Sequence, residues 1–312
     1  MMFSARVTSA ECNEWIDLLQ VGTFLPVVED HHTLLGLAIT WHGGTHQREF
    51  SKRELGCLRL PFEFRAYPFE FSYRPFMPVS FSKPRTLVSW SSGKDSAWML
   101  YQLQQHDDVE IVGLLTSFNE AADRVAMHAV RRTLVEAQAE AAGLPLWPVL
   151  LPWPCTNADY EARMAQAFAH AETAGVTHIA FGDLFLEDIR AYREQQLAGT
   201  GLQPLFPIWH PDGGTSTLAQ QMVAAGLRAM LTCIDPNQLA PSFVGRTYDA
   251  ALLADLPATA DPCGENGEFH TFCHTGPMFA QPIPVTTGEV VHRDGFWYAD
   301  VLPGRPDLNG PQ

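Results

Sequence analysis

Three short stretches of the chain carry residue types that could do chemistry. Ser91-Ser92-Gly93-Lys94-Asp95-Ser96 follows a hydrophobic run and leads directly into a helical pattern reaching about Gln105. Such a turn offers an anion backbone N–H groups, a helix N-terminus and a lysine. The hydroxyls of Ser91, Ser92 and Ser96 can donate to phosphate oxygens, Gly93 lets the backbone approach closely, and Asp95 is suited to magnesium. The loop is not G-x-x-x-x-G-K-[ST], because Val88 stands where its first glycine would be and Asp95 follows the lysine. A capped helix start with solvated Lys94 and Asp95 is the blander alternative, but the position after the first hydrophobic strand favours phosphate. Asp183 stands directly after another predicted strand, within reach of the same crevice. Glu265, Glu268, His270 and Thr271 gather on a glycine-punctuated loop, a composition suited to substrate orientation and proton transfer. A solvated acidic turn leading into a strand would use the same letters.

Positioning these loops together requires strands that end along one edge. From residue 86 onward, apolar runs of four to seven residues alternate with segments of helical period, the pattern of an α/β fold. Strands are expected at 86–90, 109–115, 146–150, 177–181 and 228–234, continuous and apolar as parallel strands covered on both faces should be. A helix with Met127, Val130, Leu134, Ala137 and Ala141 on one face should close at Gly143. Another should start at Thr156 or Asn157, bring Met164, Phe168 and Ala171 together, and end at Gly175. A third, over 216–225, should end at Gly226. In the C-terminal part, 285–291 and 296–302 read as a hairpin turned at Arg293-Asp294-Gly295. In an open parallel sheet, ligands bind beyond the carboxyl ends of the strands, where the loops named above begin.

Composition narrows the function. At 312 residues the chain is long enough for about two domains. Twenty Lys and Arg against 35 Asp and Glu give a net charge of −15, so a nucleic-acid partner would have to bind against the field of the whole molecule. No apolar run approaches the roughly eighteen residues of a membrane helix, and no partner membrane is expected. Six scattered cysteines without a C-x-x-C pair make neither a disulfide framework nor a zinc site, and a reducing cytoplasmic setting is the expectation. Residues 1–83 differ from the rest: nine of the nineteen phenylalanines fall there, and along 60–84 Pro61, Pro68, Pro75, Pro78 and Pro84 interrupt regular structure. That segment reads as a poorly ordered extension dispensable for folding, or as the product of an early start codon, with Met77 a sensible start.

Ser91 to Ser96 resembles the S-G-G-x-D-S loop of the PP-loop ATP pyrophosphatases, which cleave ATP between its α and β phosphates. Gly182-Asp183-Leu184-Phe185-Leu186-Glu187 with Arg190 and Arg193, and the block from Asp261 through Gly264-Glu265-Asn266-Gly267-Glu268-Phe269-His270-Thr271 to Phe272, narrow the resemblance to the diphthine-ammonia ligase family. The likeness spans about residues 85–302 and departs at Ser92, which replaces the first glycine of the loop. A positive φ at that serine would strain the loop.

The resemblance implies an α/β fold with a doubly wound, mostly parallel five-stranded sheet of the PP-loop, HUP-like kind, plus a smaller C-terminal α+β substrate domain. The corresponding division is an extension over 1–83, an ATP-binding domain over 84–204, a part over 205–302 that completes the sheet and carries the substrate block, and a tail over 303–312. It further implies an AMP- and pyrophosphate-forming ligase that joins ammonia to a carboxylate, using ATP and Mg. Ser91, Ser92, Gly93, Lys94, Asp95, Ser96 and Gly182 would bind the nucleotide, and Asp95 the metal. Lys94, Asp183, Glu265, Glu268 and His270 would be catalytic, with Glu268 as the base that deprotonates ammonium. Glu187, Arg190, Gly264, Gly267 and Thr271 would bind substrate. Diphthine on a translation elongation factor is the acceptor such a resemblance suggests, which makes a protein partner expected. Two other readings are an RNA-thiolation enzyme, against which the acidic charge and missing basic stripe weigh, and a nucleotide-binding regulator without turnover.

Overall fold

Leu87 and Val88 are neighbours in one strand, both fully buried, yet they enter different cores. The computed structural model that shows this describes residues 25–27, 36–38, 83–106, 108–125 and 129–304. The chain divides into two units, Met1–Met77 and Pro78–Gln312. In the first, β1 (Leu25–Val27) and β2 (Gly36–Ala38) pair antiparallel. Apart from those strands, the expectations for 1–83 lie outside the described residues, as does most of the 303–312 tail.

The second unit holds two sheets. Its first contains β3 (Arg85–Ser89), β4 (Glu110–Asn119), β6 (Leu146–Leu151), β7 (His178–Ala180) and β8 (Gln203–Leu205), all parallel, in the spatial order β6-β4-β3-β7-β8. A two-residue strand, β5 (Arg124–Val125), adds antiparallel to the end of β4. Crossovers are made by α1 (Lys94–Gln105), α2 (Arg132–Ala142), α3 (Asn157–Thr173) and α4 (Glu187–Leu197). Because side chains alternate along a strand, Val88, Leu114 and Ala180 face the core containing α1 and α2, whereas Leu87, Leu115 and Ile179 face the one containing Phe168 of α3 and Leu197 of α4. A sheet apolar on both faces and covered on both is the doubly wound arrangement that continuous hydrophobic strands predict. Its order reverses between β3 and β7, so a crevice opens beyond their carboxyl ends.

One strand was expected in this sheet and belongs elsewhere. β9 (Arg228–Ile234) is the centre of a second, antiparallel sheet, flanked by β11 (Phe269–Thr275) along one edge and by β10 (Thr247–Tyr248) and β13 (Phe296–Pro303) along the other. The fifth parallel strand is β8 instead. An apolar run buried on both faces reads alike in either kind of sheet, and β8, only Gln203-Pro204-Leu205, has almost no apolar signal. The C-terminal part therefore builds its own sheet and does not complete the first. β12 (Val285–Arg293) forms the expected hairpin with β13, turned at Asp294 and Gly295, both with positive φ as a tight two-residue turn demands. α5 (Gly214–Ala224) and the short α6 (Ala250–Asp255) join the α1–α2 core through Leu218, Met222 and Leu252.

Helix boundaries follow local chemistry. Gly143 sits in the left-handed conformation after α2, and its N–H reaches back to Glu140 O at 3.0 Å. Thr156 caps α3 in a reciprocal box with Asp159. Residues 126–128, which include Met127 and His128, lie outside the described residues, and α2 starts later than its expected apolar face. No helix among the described residues is long and apolar enough to cross a membrane.

Candidate active site

The hydrophobic strand β3 delivers Ser91 to Ser96 to the crevice, and β7 delivers Gly182 and Asp183 to the other side of it. These two segments touch. A Cβ placed on Gly182 would lie 3.3 Å from both the Asp95 carbonyl carbon and the Ser96 nitrogen, so any larger residue would press the β7 loop a few tenths of an ångström away from the first turn of α1. Within the phosphate loop, the Ser91 and Ser96 hydroxyls lie 3.1 Å apart, and Gly93 N–H points to Ser91 Oγ at 3.3 Å. Two hydroxyls and a backbone N–H thus converge at a helix N-terminus, an arrangement able to hold phosphate oxygens.

Ser92 adopts φ 69°, the left-handed region a glycine takes freely. Its side chain is buried and Oγ has no hydrogen-bond partner. Both features cost stability: the strained backbone about 1 kcal/mol or more, the unsatisfied hydroxyl about as much again. Ser92→Gly should therefore stabilise the chain by about 1 kcal/mol after the added chain entropy of glycine, and raise Tm by about 2–4 °C in a thermal melt. A lower Tm would show that the hydroxyl has a use the fold hides.

Lys94 does not reach into the crevice. Its side chain is 2% exposed, with Nζ 2.8 Å from both carboxylate oxygens of Asp95 and hydrogen-bonded to the Cys263 carbonyl, above the rings of Phe269 and Tyr248. Burial works against the charged form, but the Asp95 carboxylate and other neighbouring groups outweigh it, and the pKa is raised. Lys94 N–H donates to Thr271 Oγ1 at 3.0 Å, so Thr271 fastens the phosphate loop to β11.

Asp183 is partly buried and faces Arg193 Nε at 3.4 Å. Burial raises its pKa, Arg193 opposes this, and Asp95 adds to it. Arg193 also stacks on Phe181, while Arg190 pairs with Glu194 and lies over Phe206 and Trp209. Glu187 is exposed at the start of α4, 3.5 Å from His210. Glu187 and Arg190 are thus placed on a surface of aromatic and charged groups rather than on the phosphate loop.

The two glutamates of the glycine-rich block are placed differently. Glu265 is half-buried and crosses the crevice, where Oε1 accepts the Leu184 N–H at 2.9 Å. Burial pushes its pKa up to about 6; the Leu184 N–H opposes the rise, and Asp95 and Asp183 reinforce it against Lys94. Glu268, the expected base, is fully buried and accepts Asp261 N at 2.7 Å, Asn266 N at 2.9 Å and Asn266 Nδ2 at 3.2 Å. It is the centre of its own loop, buried from solvent. The backbone explains the split: Gly264 has φ 68°, and a Cβ there would come 2.9 Å from Phe269 O, so the chain folds back and sends Glu268 under the loop while Glu265 stays at its rim. Gly267, φ 84°, completes the reversal. Glu268→Ala would leave three donors unsatisfied and should cost about 3 kcal/mol in urea unfolding. An unchanged unfolding midpoint would contradict the structural role.

His270 is largely buried on β11, and burial, then Lys94, depress its pKa, with Asp95 opposing. Three contributors were not among the site residues expected from the sequence. Asp261 Oδ1 accepts Cys263 N and Glu265 N, and Oδ2 accepts Thr215 Oγ1. Tyr248 OH donates to Pro262 O at 2.8 Å beneath Lys94. Gln138, fully buried on α2, contacts the phosphate loop directly. A polar residue at a core-facing position, four after Leu134, was the available signal for the last. Arg124 and Arg131 hold Asp300 of β13.

Among the described residues, no group of three or more His, Cys, Asp or Glu is arranged to hold a metal. Asp95 and Asp183 nevertheless supply hard oxygen donors, and Asp95 is near enough to help raise the pKa of Asp183. Magnesium, which binds through one or two carboxylates together with substrate phosphates and water, fits such a pair.

The second unit is similar to known proteins over most of its length. Residues 84–204 match the family described as diphthamide synthase N-terminal domain, and residues 214–301 the one described as diphthamide synthase C-terminal domain. The chain is 27% identical over 226 residues to a diphthine–ammonia ligase of Danio rerio, covering 65% of this chain and 88% of that protein. It is 25% identical over 232 residues to the Homo sapiens diphthine–ammonia ligase, covering 68% and 86%.

Proposed function

Since this chain belongs to the diphthamide synthase family, we propose that it is an ATP-dependent amide ligase that joins ammonia to a carboxylate with release of AMP and pyrophosphate. The observation that carries the reading is the junction of three loops at one crevice: the phosphate loop after β3, Gly182 and Asp183 after β7, and Glu265 bonded across to Leu184.

An acceptor carboxylate oxygen attacks the α phosphorus of ATP and the bond to the bridging α–β oxygen breaks, giving an acyl adenylate and pyrophosphate. Gly93 N–H, the Ser91 and Ser96 hydroxyls and the N-terminus of α1 offset the charge that builds on the leaving pyrophosphate. Magnesium, held by Asp95 and Asp183, would supply further charge neutralisation there. Glu265 takes a proton from ammonium, and the nitrogen attacks the acyl carbon to expel AMP. Its raised pKa lets it accept that proton near neutral pH. Lys94 and Thr271 keep the phosphate loop and β11 together. The exposed Glu187 and Arg190 suit contact with a macromolecule that carries the acceptor, and diphthine on a translation elongation factor is the acceptor we favour.

The test is incubation of the chain with α-labelled ATP, magnesium and ammonium, with and without diphthine-bearing elongation factor, followed by separation of ADP from AMP. AMP that appears only with the factor is the expected result. AMP without it would keep the α,β cleavage and move the search to another carboxylate. ADP as the sole product would overturn the ligase.

A further inference from the structure

Gln138 lies on α2, outside every motif that carries the chemistry, yet it is 0% exposed and uses both ends of its amide. Its Oε1 accepts the Trp90 indole N–H at 2.9 Å. Its Nε2 donates to Ser92 O at 3.0 Å and to the Cys273 carbonyl on β11 at 2.6 Å. Ser92 O also accepts Cys273 N–H at 2.9 Å, so both of its lone pairs are taken by donors on one side.

This fixes more than a carbonyl. In a planar trans peptide the C=O and the following N–H point in opposite directions. Pinning Ser92 C=O toward β11 therefore turns Gly93 N–H the other way, toward the Ser91 hydroxyl and, 3.1 Å beyond it, that of Ser96. Ser92 holds this orientation with its φ at 69°, a strained conformation for a serine that needs to be held. Trp90, fixed in the core at 2% exposure, in turn orients the glutamine amide.

We infer that Gln138 is a positioning residue for ATP: through Ser92 it aims the Gly93 N–H at the phosphates and holds the strained loop in its binding shape. The inference rests on the ATP-ligase reading of this loop. Gln at a buried helix position is otherwise an unfavourable choice, which the three bonds offset.

The experiment measures the ATP dissociation constant by calorimetry on the full chain with magnesium, beside the thermal midpoint, with no acceptor or ammonium present. Gln138→Met keeps the side chain's length and removes its hydrogen bonding; Trp90→Phe leaves Gln138 in place and frees Oε1. We expect ATP binding weakened about tenfold or more for the first and a few-fold for the second, in chains that still melt cooperatively. In a Ser92→Gly background, where the loop needs less holding, the penalty of Gln138→Met should shrink. A residue that only fills the core would lower the midpoint and leave both ATP affinity and that difference unmoved, which would overturn the inference. Variants that fail to melt cooperatively would assign Gln138 to the core and overturn it too. A parent chain that binds no ATP would overturn the ATP reading of the loop together with the inference, whereas a parent that binds ATP without forming AMP would remove the ligase alone.

Discussion

Glu265→Gln is expected to slow AMP formation by about 10²- to 10⁴-fold, the range lost with a general base, while leaving the fold intact. Glutamine keeps an oxygen for the Leu184 N–H, so the bond across the crevice survives and only the titratable oxygen is lost. The pH profile is the sharper readout. In the parent the rate should climb as pH rises through about 6, where Glu265 ionises; in the variant that limb should vanish. Stability runs in the opposite sense. A carboxyl whose folded pKa lies above its unfolded value binds its proton more tightly when folded, so stability falls as pH rises from the ordinary glutamate range through about 6. Glu265→Gln should remove that fall and leave the chain at least as stable at neutral pH. Glu268 provides the contrast, since its substitution acts first on unfolding. A Glu265→Gln rate within about threefold of the parent, or an acid limb unchanged in position, would sink the assignment of the base.

Which of the two glutamates is buried and which stays at the rim was not legible in the letters. They stand three apart on one loop, and both match the family block, so composition alone treats them alike. What separates them is the pair of left-handed glycines, Gly264 and Gly267, which reverse the chain between rim and interior. The phosphate loop was legible because its chemistry is local: a hydrophobic strand, a short polar turn and a helix start are consecutive in sequence. The strain at Ser92 could also be foreseen, from the glycine that the resembling loop has there. By contrast β9 was assigned to the wrong sheet, because a doubly buried strand carries no mark of its partners' direction. Gln138 escaped for a related reason. Its partners Ser92 and Cys273 lie 46 and 135 residues away, and side-chain periodicity reports a face of a helix, not what meets it. Local elements and binding loops can thus be read from the chain, whereas the joints between its two sheets, where Lys94, Thr271 and Gln138 act, depend on contacts between distant segments.

Lys94→Met should rank with Glu268→Ala among the most destabilising single changes at the site, lowering stability by about 2–4 kcal/mol. The charge on Lys94 is almost wholly buried, so its loss leaves Asp95 without its cation and the Cys263 carbonyl without its donor. Because Asp95 remains 27% exposed, water recovers part of its solvation, which keeps the expected cost at the lower part of the range for broken buried pairs. For a unit of this size the midpoint should drop by about 5–12 °C. The sign with pH follows from the raised pKa of Lys94: its stabilisation is complete below the ordinary lysine value and is lost only as pH rises past the folded one, so the difference between parent and variant should hold steady above the range in which Glu265 and His270, whose charges Lys94 also affects, titrate. Asp95→Asn in the Lys94→Met background should recover part of the loss, since the uncompensated carboxylate is then gone. ATP binding should weaken as well, because the Lys94 side chain ties the first turn of α1 to the Cys263 loop, and only the backbone bond to Thr271 survives its loss. An ammonium that served only to contact phosphate would give the reverse pattern, weak ATP binding with an unshifted midpoint, and that outcome would return Lys94 to the crevice.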